Sequence, residues 1–309
     1  MTGINRREAM RLMVAAAAGF GSAGAQAASA GPAAGAILSR PIPSSGEMLP
    51  VIGLGTWQTF DVGTSNAERT PLAEVLSAFS ALGGRLVDSS PMYGRAEEVA
   101  GDSAASLGLR EKLFIATKVW TSGKEAGIRQ MEESMRRLRA KPIDLMQVHN
   151  LVDVRTHLAT LREWRQQGIV RYIGVTHYTA GAHEDVARVL SSEKLDFVQI
   201  NYSVGEREAE RRLLPLARDR DVAVIANRPF SGGDLLRRLR DRPLPGWAAD
   251  LDCDSWAQLL LKFVISHPAM TCAIPATSKL AHLRDNMKAG HGRMPKGKQR
   301  EMIAAAARV

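Results

Sequence analysis

The chain has 309 residues, 45% hydrophobic and 24% charged, enough to bury a large core as one globular domain. Its formal net charge is +9, yet the basic residues are scattered and only 5% of residues are aromatic, which argues against a nucleic-acid partner that would need one basic face with stacking rings. A basic surface that attracts a small anionic ligand is the better expectation, and Cys253 and Cys272 lack any metal-ligand spacing, so no metal centre is expected.

In chain order, Asn5-Arg-Arg-Glu-Ala-Met-Arg11 opens as a twin-arginine start. Leu12 to Ala25 is an Ala/Gly stretch too short to span a bilayer, and Ala25-Gln-Ala27 or Ala28-Ser-Ala30 offers small-residue cleavage sites. Residues 1–30 are therefore expected to form a signal segment read by the twin-arginine (Tat) export machinery, 31–47 a Pro/Gly/Ser linker, and 48–309 the folded domain. The expected location is the periplasm, or the cytoplasm if the leader is not functional. With no Cys at the cleavage site, no lipid or other stable membrane anchor is expected. In an oxidising compartment Cys253 and Cys272 could pair if the fold brought them together.

From Val51 onward short apolar runs alternate with amphipathic segments. The predicted strands are 51–56, 85–89, 113–117, 144–148, 172–176, 197–201, 222–226 and 271–275. Between them, Thr70-Pro71 reads as a helix start, Ser122 with Glu125 as a capping box, and Ile128, Met131, Met135 and Leu138 as a core stripe. Gly168 reads as a helix stop, and Trp256 to Ile265 as a helix closed by His267-Pro268. Eight strands with intervening helices over this length predict an α/β fold, a single-domain (β/α)8 TIM barrel. In that fold the C-terminal strand ends converge on one mouth.

Four residues stand at such ends: Asp88, Tyr93, Lys118 and His149. A phenol titrates near ~10 in water, so a neutral-pH proton donor of this type needs a nearby cation; Lys118 supplies one and Asp88 sustains its charge. His149 would orient a substrate oxygen by hydrogen bonding. Singly, each is more often a solvated or packed residue; together they point to proton transfer. Lys118 as a Schiff-base nucleophile is an alternative, but it leaves Tyr93 without a purpose.

Gly53-Leu-Gly-Thr56, Val87-Asp-Ser-Ser-Pro-Met-Tyr-Gly94, Ala116-Thr-Lys118, Asp144-Leu-Met-Gln-Val-His149, Tyr172-Ile-Gly-Val-Thr176 and Ile274-Pro-Ala-Thr-Ser278 together resemble the aldo-keto reductases, in order, from about Pro50 to about Gly290. The resemblance implies NADPH-dependent reduction of an aldehyde or ketone to an alcohol by hydride transfer. In that reading Tyr93 is the general acid, Lys118 and Asp88 lower its pKa, and His149 orients the oxygen. It implies cofactor contacts at Gly55, Thr56, Thr176, His177 and Gln199; at Asn227, Arg228, Pro229, Phe230 and Gly232; and at Thr277, Ser278, Lys279, Asp285 and Asn286. Thr176-His177 stands where many members have Ser-Asn, and Asn227 where many stack an aromatic ring. Lys279 beside a helix start favours NADP(H) over NAD(H). Trp57 and Trp120 are the expected pocket walls, and the short tail after Ile303 leaves the pocket open to a broad substrate range. The expected partner is a small-molecule carbonyl substrate, with a monomer as the working expectation. A second class is a cofactor-binding redox sensor or partner-binding protein of the same fold with little turnover.

Overall fold

The computed structural model describes residues 35–308, so the expected export signal lies outside the described residues. Strands β1 (Ser39–Pro41) and β2 (Met48–Pro50) pair antiparallel. Eight further strands form one parallel sheet in chain order: β3 (Leu54–Gly55), β4 (Leu86–Asp88), β5 (Phe114–Val119), β6 (Ile143–His149), β7 (Val170–Thr176), β8 (Phe197–Asn201), β9 (Ala223–Asn227) and β10 (Cys272–Ala273). The first and last close on each other: the Gly53 and Gly55 N–H groups donate to Ala273 O (2.8 Å) and Pro275 O (3.1 Å), and Ala273 N–H donates to Val51 O (2.9 Å). The sheet is thus a barrel, and each predicted strand is present, β8 with its predicted bounds and the others with ends shifted by a few residues.

Alternation decides what the barrel encloses. On β5, Phe114 and Ala116 share the interior face with Lys118; on β6, Leu145 shares it with Gln147 and His149; on β8, Phe197 shares it with Gln199. Leu86, Phe114, Leu145, Tyr172, Phe197, Ala223 and Cys272 fill the lower barrel, so the interior passes from apolar at the base to polar at the mouth. The opposite residues of the strands, Val87, Ile115, Met146, Val148, Ile173, Val175, Val198 and Val224, join the core under the helices.

The helices are α1 (Asn66–Ala81), α2 (Ala96–Ser106), α3 (Lys124–Leu138), α4 (Val154–Gln166), α5 (His183–Ser192), α6 (Leu213–Asp219), α7 (Asp234–Arg238), α8 (Trp256–Ile265), α9 (Leu280–Lys288) and α10 (Gly297–Ala306). Helix α8 has its predicted bounds, and Gly168 ends the α4 segment with a φ of 71°. Two predicted starts are corrected. Helix α1 begins after Ser65, which with Glu68 makes the capping box, and Pro71 lies inside the helix near its beginning. Helix α3 begins after Gly123, whose φ is 88° and whose N–H donates to Asp153 Oδ2 at 2.8 Å; no capping box forms at Ser122.

The segment expected as linker holds another correction. Residues 39–50 form the β1–β2 hairpin, with Ile42 and Leu49 fully buried in the lower barrel core. Glu47 accepts from Arg85 (2.9 Å), Arg171 (2.5 Å) and the Tyr172 hydroxyl (2.9 Å). Pro43, Ser44 and Ser45 form the hairpin's turn, and Ser39 and Pro41 lie in β1. Both cysteines are buried and unpaired. Among the described residues, no helix is long and apolar enough to cross a membrane.

Candidate active site

Asp88 is the last residue of β4, and the chain then turns so that Tyr93 N–H donates to Ser90 O at 3.0 Å, returning the phenol over the barrel mouth. Beneath it, the Lys118 ammonium is fully buried and donates to Asp88 Oδ2 at 2.7 Å and to Ser89 O at 2.6 Å. It lies 5.2 Å from the centroid of the Tyr93 ring. Asp88 Oδ1 accepts from Gln199 Nε2 at 2.8 Å and from Gln147 Nε2 at 3.4 Å, and Thr176 Oγ1 donates to Gln199 Oε1 at 3.1 Å. His149 stands edge-on to Tyr93, with centroids 6.1 Å apart, and 6.5 Å from the Trp120 ring. The four expected residues therefore meet.

The electrostatics refine the sequence reading. Burial pushes the Tyr93 hydroxyl above its ordinary value, the Lys118 ammonium pulls it down, and the Asp88 carboxylate pushes it up. Asp88 does not lower the Tyr93 pKa directly, as the resemblance implied; it holds the Lys118 pKa up against burial. Lys118 thus stays charged in a dry site. His149 is pushed down to about 3 by burial, then by Lys118 and His177, so its imidazole is neutral at pH 7 and offers one N–H.

From this centre a cleft of about 1230 Å³ runs along the mouth. Near the centre it is lined by Gly55, Thr56, Trp57, Trp120, Thr176, Gln199 and Asn227. Further along come Arg228, Pro229, Phe230 and Gly232, and its far end carries Thr277, Lys279, Asp285 and Asn286. This volume exceeds the ~300–1000 Å³ of ordinary small-molecule sites and suits a long ligand. Gly55 lets the wall close, since a Cβ there would meet Ile274 O at 2.9 Å. Gly232 and Gly233, with φ of 69° and 92°, turn the backbone toward the cleft.

Two expected contacts fall outside this lining. The His177 ring lies flat on Tyr178, with an interplanar angle of 6°, and its Nδ1 accepts from the Tyr178 and Thr179 N–H groups, so its own loop occupies it. Ser278 is exposed. Asp285 lines the cleft, but its carboxylate already accepts from Ser255 Oγ (2.8 Å) and Gln258 Nε2 (2.6 Å).

Sequence reasoning missed Ser90, Met92, Tyr178 and His282. His282 follows Lys279 by three residues at the start of α9, a spacing that would have placed both on one face. Ser90 lies inside the quoted Tyr93 motif. Met92 and Tyr178 are exposed at the rim of the cleft beside Trp57 and Trp120, a property no local pattern reveals.

A closed parallel barrel with a buried Lys–Asp pair under a tyrosine at its mouth gathers, beside one long cleft, groups whose chemistry suits proton transfer. The sequence model of the Aldo/keto reductase family matches residues 51–305, and the chain belongs to that family; it is an oxidoreductase. A methylglyoxal reductase of Escherichia coli K12, YeaE, is 32% identical over 253 residues, covering 79% of this chain and 87% of the relative. An aldo-keto reductase of Klebsiella pneumoniae solved in complex with NADPH is 25% identical, covers 87% of this chain and 95% of its own, and superposes with a TM-score of 0.74. Another structure of an aldo/keto reductase from that organism, with NADP and acetate, is also 25% identical, covers 84% and 92%, and has a TM-score of 0.69.

Proposed function

We propose that the protein reduces the carbonyl of a small aldehyde or ketone to an alcohol with NADPH as cofactor, and that Tyr93 is the general acid. The observation that carries this reading is the fully buried Lys118, ion-paired to Asp88 at 2.7 Å and set against the Tyr93 ring. The cleft residues fit a phosphorylated dinucleotide. Arg228, Arg237, Arg240 and Lys279 line the cleft, Gly232 and Gly233 permit close backbone approach, and Asn227 Oδ1 is a buried acceptor with no protein partner among the described residues. When bound, the reduced dinucleotide supplies the hydride.

The chain's own residues handle the proton and the orientation. Tyr93 Oη gives its proton to the carbonyl oxygen, Lys118 stabilises the phenolate left behind, and Asp88 keeps Lys118 charged. His149 donates a hydrogen bond to the same oxygen. Thr176, Gln199 and Asn227 would hold the nicotinamide end; Arg240, Lys279 and Asn286 would hold the adenosine phosphate end. NADPH as bound ligand of a structural relative and methylglyoxal reduction by a sequence relative both support the reading.

The test is a fluorescence titration of the purified protein with NADPH and NADH, followed by addition of a panel of aldehydes, ketones and quinones. Tight NADPH binding with oxidation on carbonyl addition is expected. Tyr93→Phe should lower kcat by about 10²-fold to 10⁴-fold or more while NADPH binding stays within a factor of a few. Binding of NADPH without turnover on any carbonyl would overturn the reductase reading in favour of a sensor.

The leader motif supports a further part of the same reading: export through the twin-arginine route of a folded barrel carrying its cofactor, with residues 1–30 removed and the β1–β2 hairpin kept as part of the folded domain. Fractionation of cells expressing the native chain should place the shortened protein in the periplasm, and Arg6→Lys with Arg7→Lys should retain it in the cytoplasm. Mature periplasmic protein without a bound dinucleotide by mass spectrometry, and with only weak affinity for added NADPH, would sink the preloaded cofactor.

A further inference from the structure

We infer that Ser90 is the positioning residue that fixes the tautomer of His149, holding the imidazole proton on Nε2. Ser90 is fully buried, and its Oγ lies 3.1 Å from His149 Nδ1. The Met92 N–H donates to the same Oγ at 3.3 Å, so one lone pair of the hydroxyl is already engaged. Among the described residues, Nδ1 is the acceptor within reach of the Ser90 proton. If Nδ1 instead carried the imidazole proton, Ser90 Oγ would accept from both Met92 and His149, and its own proton would be buried with no acceptor, an arrangement folded proteins avoid. Donation from Ser90 to Nδ1 satisfies every group and places the ring's single N–H at Nε2.

The consequence rests on the carbonyl-reduction reading. A carbonyl oxygen beside Tyr93 needs a donor from His149, and a lone pair at Nε2 would repel it. The backbone turn that returns Tyr93 over the mouth also sets Ser90, since Tyr93 N–H donates to Ser90 O at 3.0 Å, so one turn positions both the phenol and the group that orients the imidazole. Ser90 touches neither substrate nor cofactor in this role and acts through His149.

The test is long-range proton–nitrogen NMR correlation of the histidine rings in isotope-labelled wild-type protein, with the His149 signal assigned from a His149→Asn variant. The expected spectrum has a protonated Nε2 and a bare Nδ1 on His149; a protonated Nδ1 overturns the inference without any Ser90 variant. In Ser90→Ala, the Nδ1-protonated form should become populated and kcat should fall roughly 10-fold to 100-fold, with the KM for NADPH little changed. Ser90→Thr, which keeps a hydroxyl, should restore the wild-type tautomer and most of kcat. An unaltered tautomer and kcat in Ser90→Ala would equally overturn it. Absence of turnover in wild type counts against carbonyl reduction, whereas the spectrum judges the Ser90 assignment independently.

Discussion

At the level of single residues, the centre is a chain of dependence from Gln199 to Asp88 to Lys118 to Tyr93. Asp88 raises the Tyr93 pKa by direct charge and serves it only by keeping Lys118 protonated. Removing the ammonium in Lys118→Met should therefore cost about 10²-fold or more in kcat and raise the Tyr93 pKa further. A pH profile in which the alkaline limb of reduction moves to lower pH would contradict this. Because His149 is held down to about 3, it stays neutral across pH 5–8 and should add no inflection to log kcat there. The identities of Asp88, Tyr93, Lys118 and His149 were legible in the sequence because each closes a short apolar run. The balance between Asp88 and Lys118 was not, since the size of each charge's pull on Tyr93 depends on the distances among the three groups.

Elements show a different limit of local reading. Strand positions came through because a parallel sheet buried on both faces leaves near-continuous apolar runs. Helix starts were misplaced at α1 and α3, where several capping patterns compete within a few residues and tertiary contacts choose among them, as the Gly123 bond to Asp153 does. The β1–β2 hairpin read as linker because a strand of three residues has no periodicity to detect. Close helix contact also went unseen: Gly101 on α2 packs so tightly on α3 that a Cβ would meet Arg137 O at 2.2 Å. Gly101→Ala should destabilise the fold by about 1–3 kcal/mol, measured by denaturant unfolding. A midpoint equal to wild type would show that the two helices separate without cost.

For the whole molecule, burial of neutral histidines ties stability to pH. His149 and His267 are held down to about 3 and about 4, against an ordinary 6.5. Above 6.5 both are neutral whether the chain is folded or not, and their contribution is complete. As pH falls below that value the unfolded chain takes up protons that the folded chain refuses, so stability should drop by up to about 1.4 kcal/mol per pH unit for each group. A urea midpoint unchanged between pH 7.5 and pH 5 would refute this. The mouth makes a second prediction: Trp57, Met92, Trp120 and Tyr178 expose apolar surface around the cleft. Trp57→Ala and Trp120→Ala should raise the KM for bulky aromatic carbonyls several-fold while leaving a three-carbon substrate almost unaffected. Equal effects on both would assign these rings to packing.

By itself the sequence determined the barrel, because alternating βα periodicity is a local property repeated along the chain, and it picked out the four polar residues that meet at its mouth, because strand ends in that fold share one mouth. Only the tertiary structure decided what those groups do to one another. That Ser90 reaches His149 and that Glu47 ties the hairpin to the barrel base depend on distances between residues far apart in the chain, and that His177 turns onto its neighbour Tyr178 instead of the cleft depends on the conformation of its loop. Periodicity carries the direction of a side chain, while charge, proton position and exposure are set by whatever the fold brings opposite it.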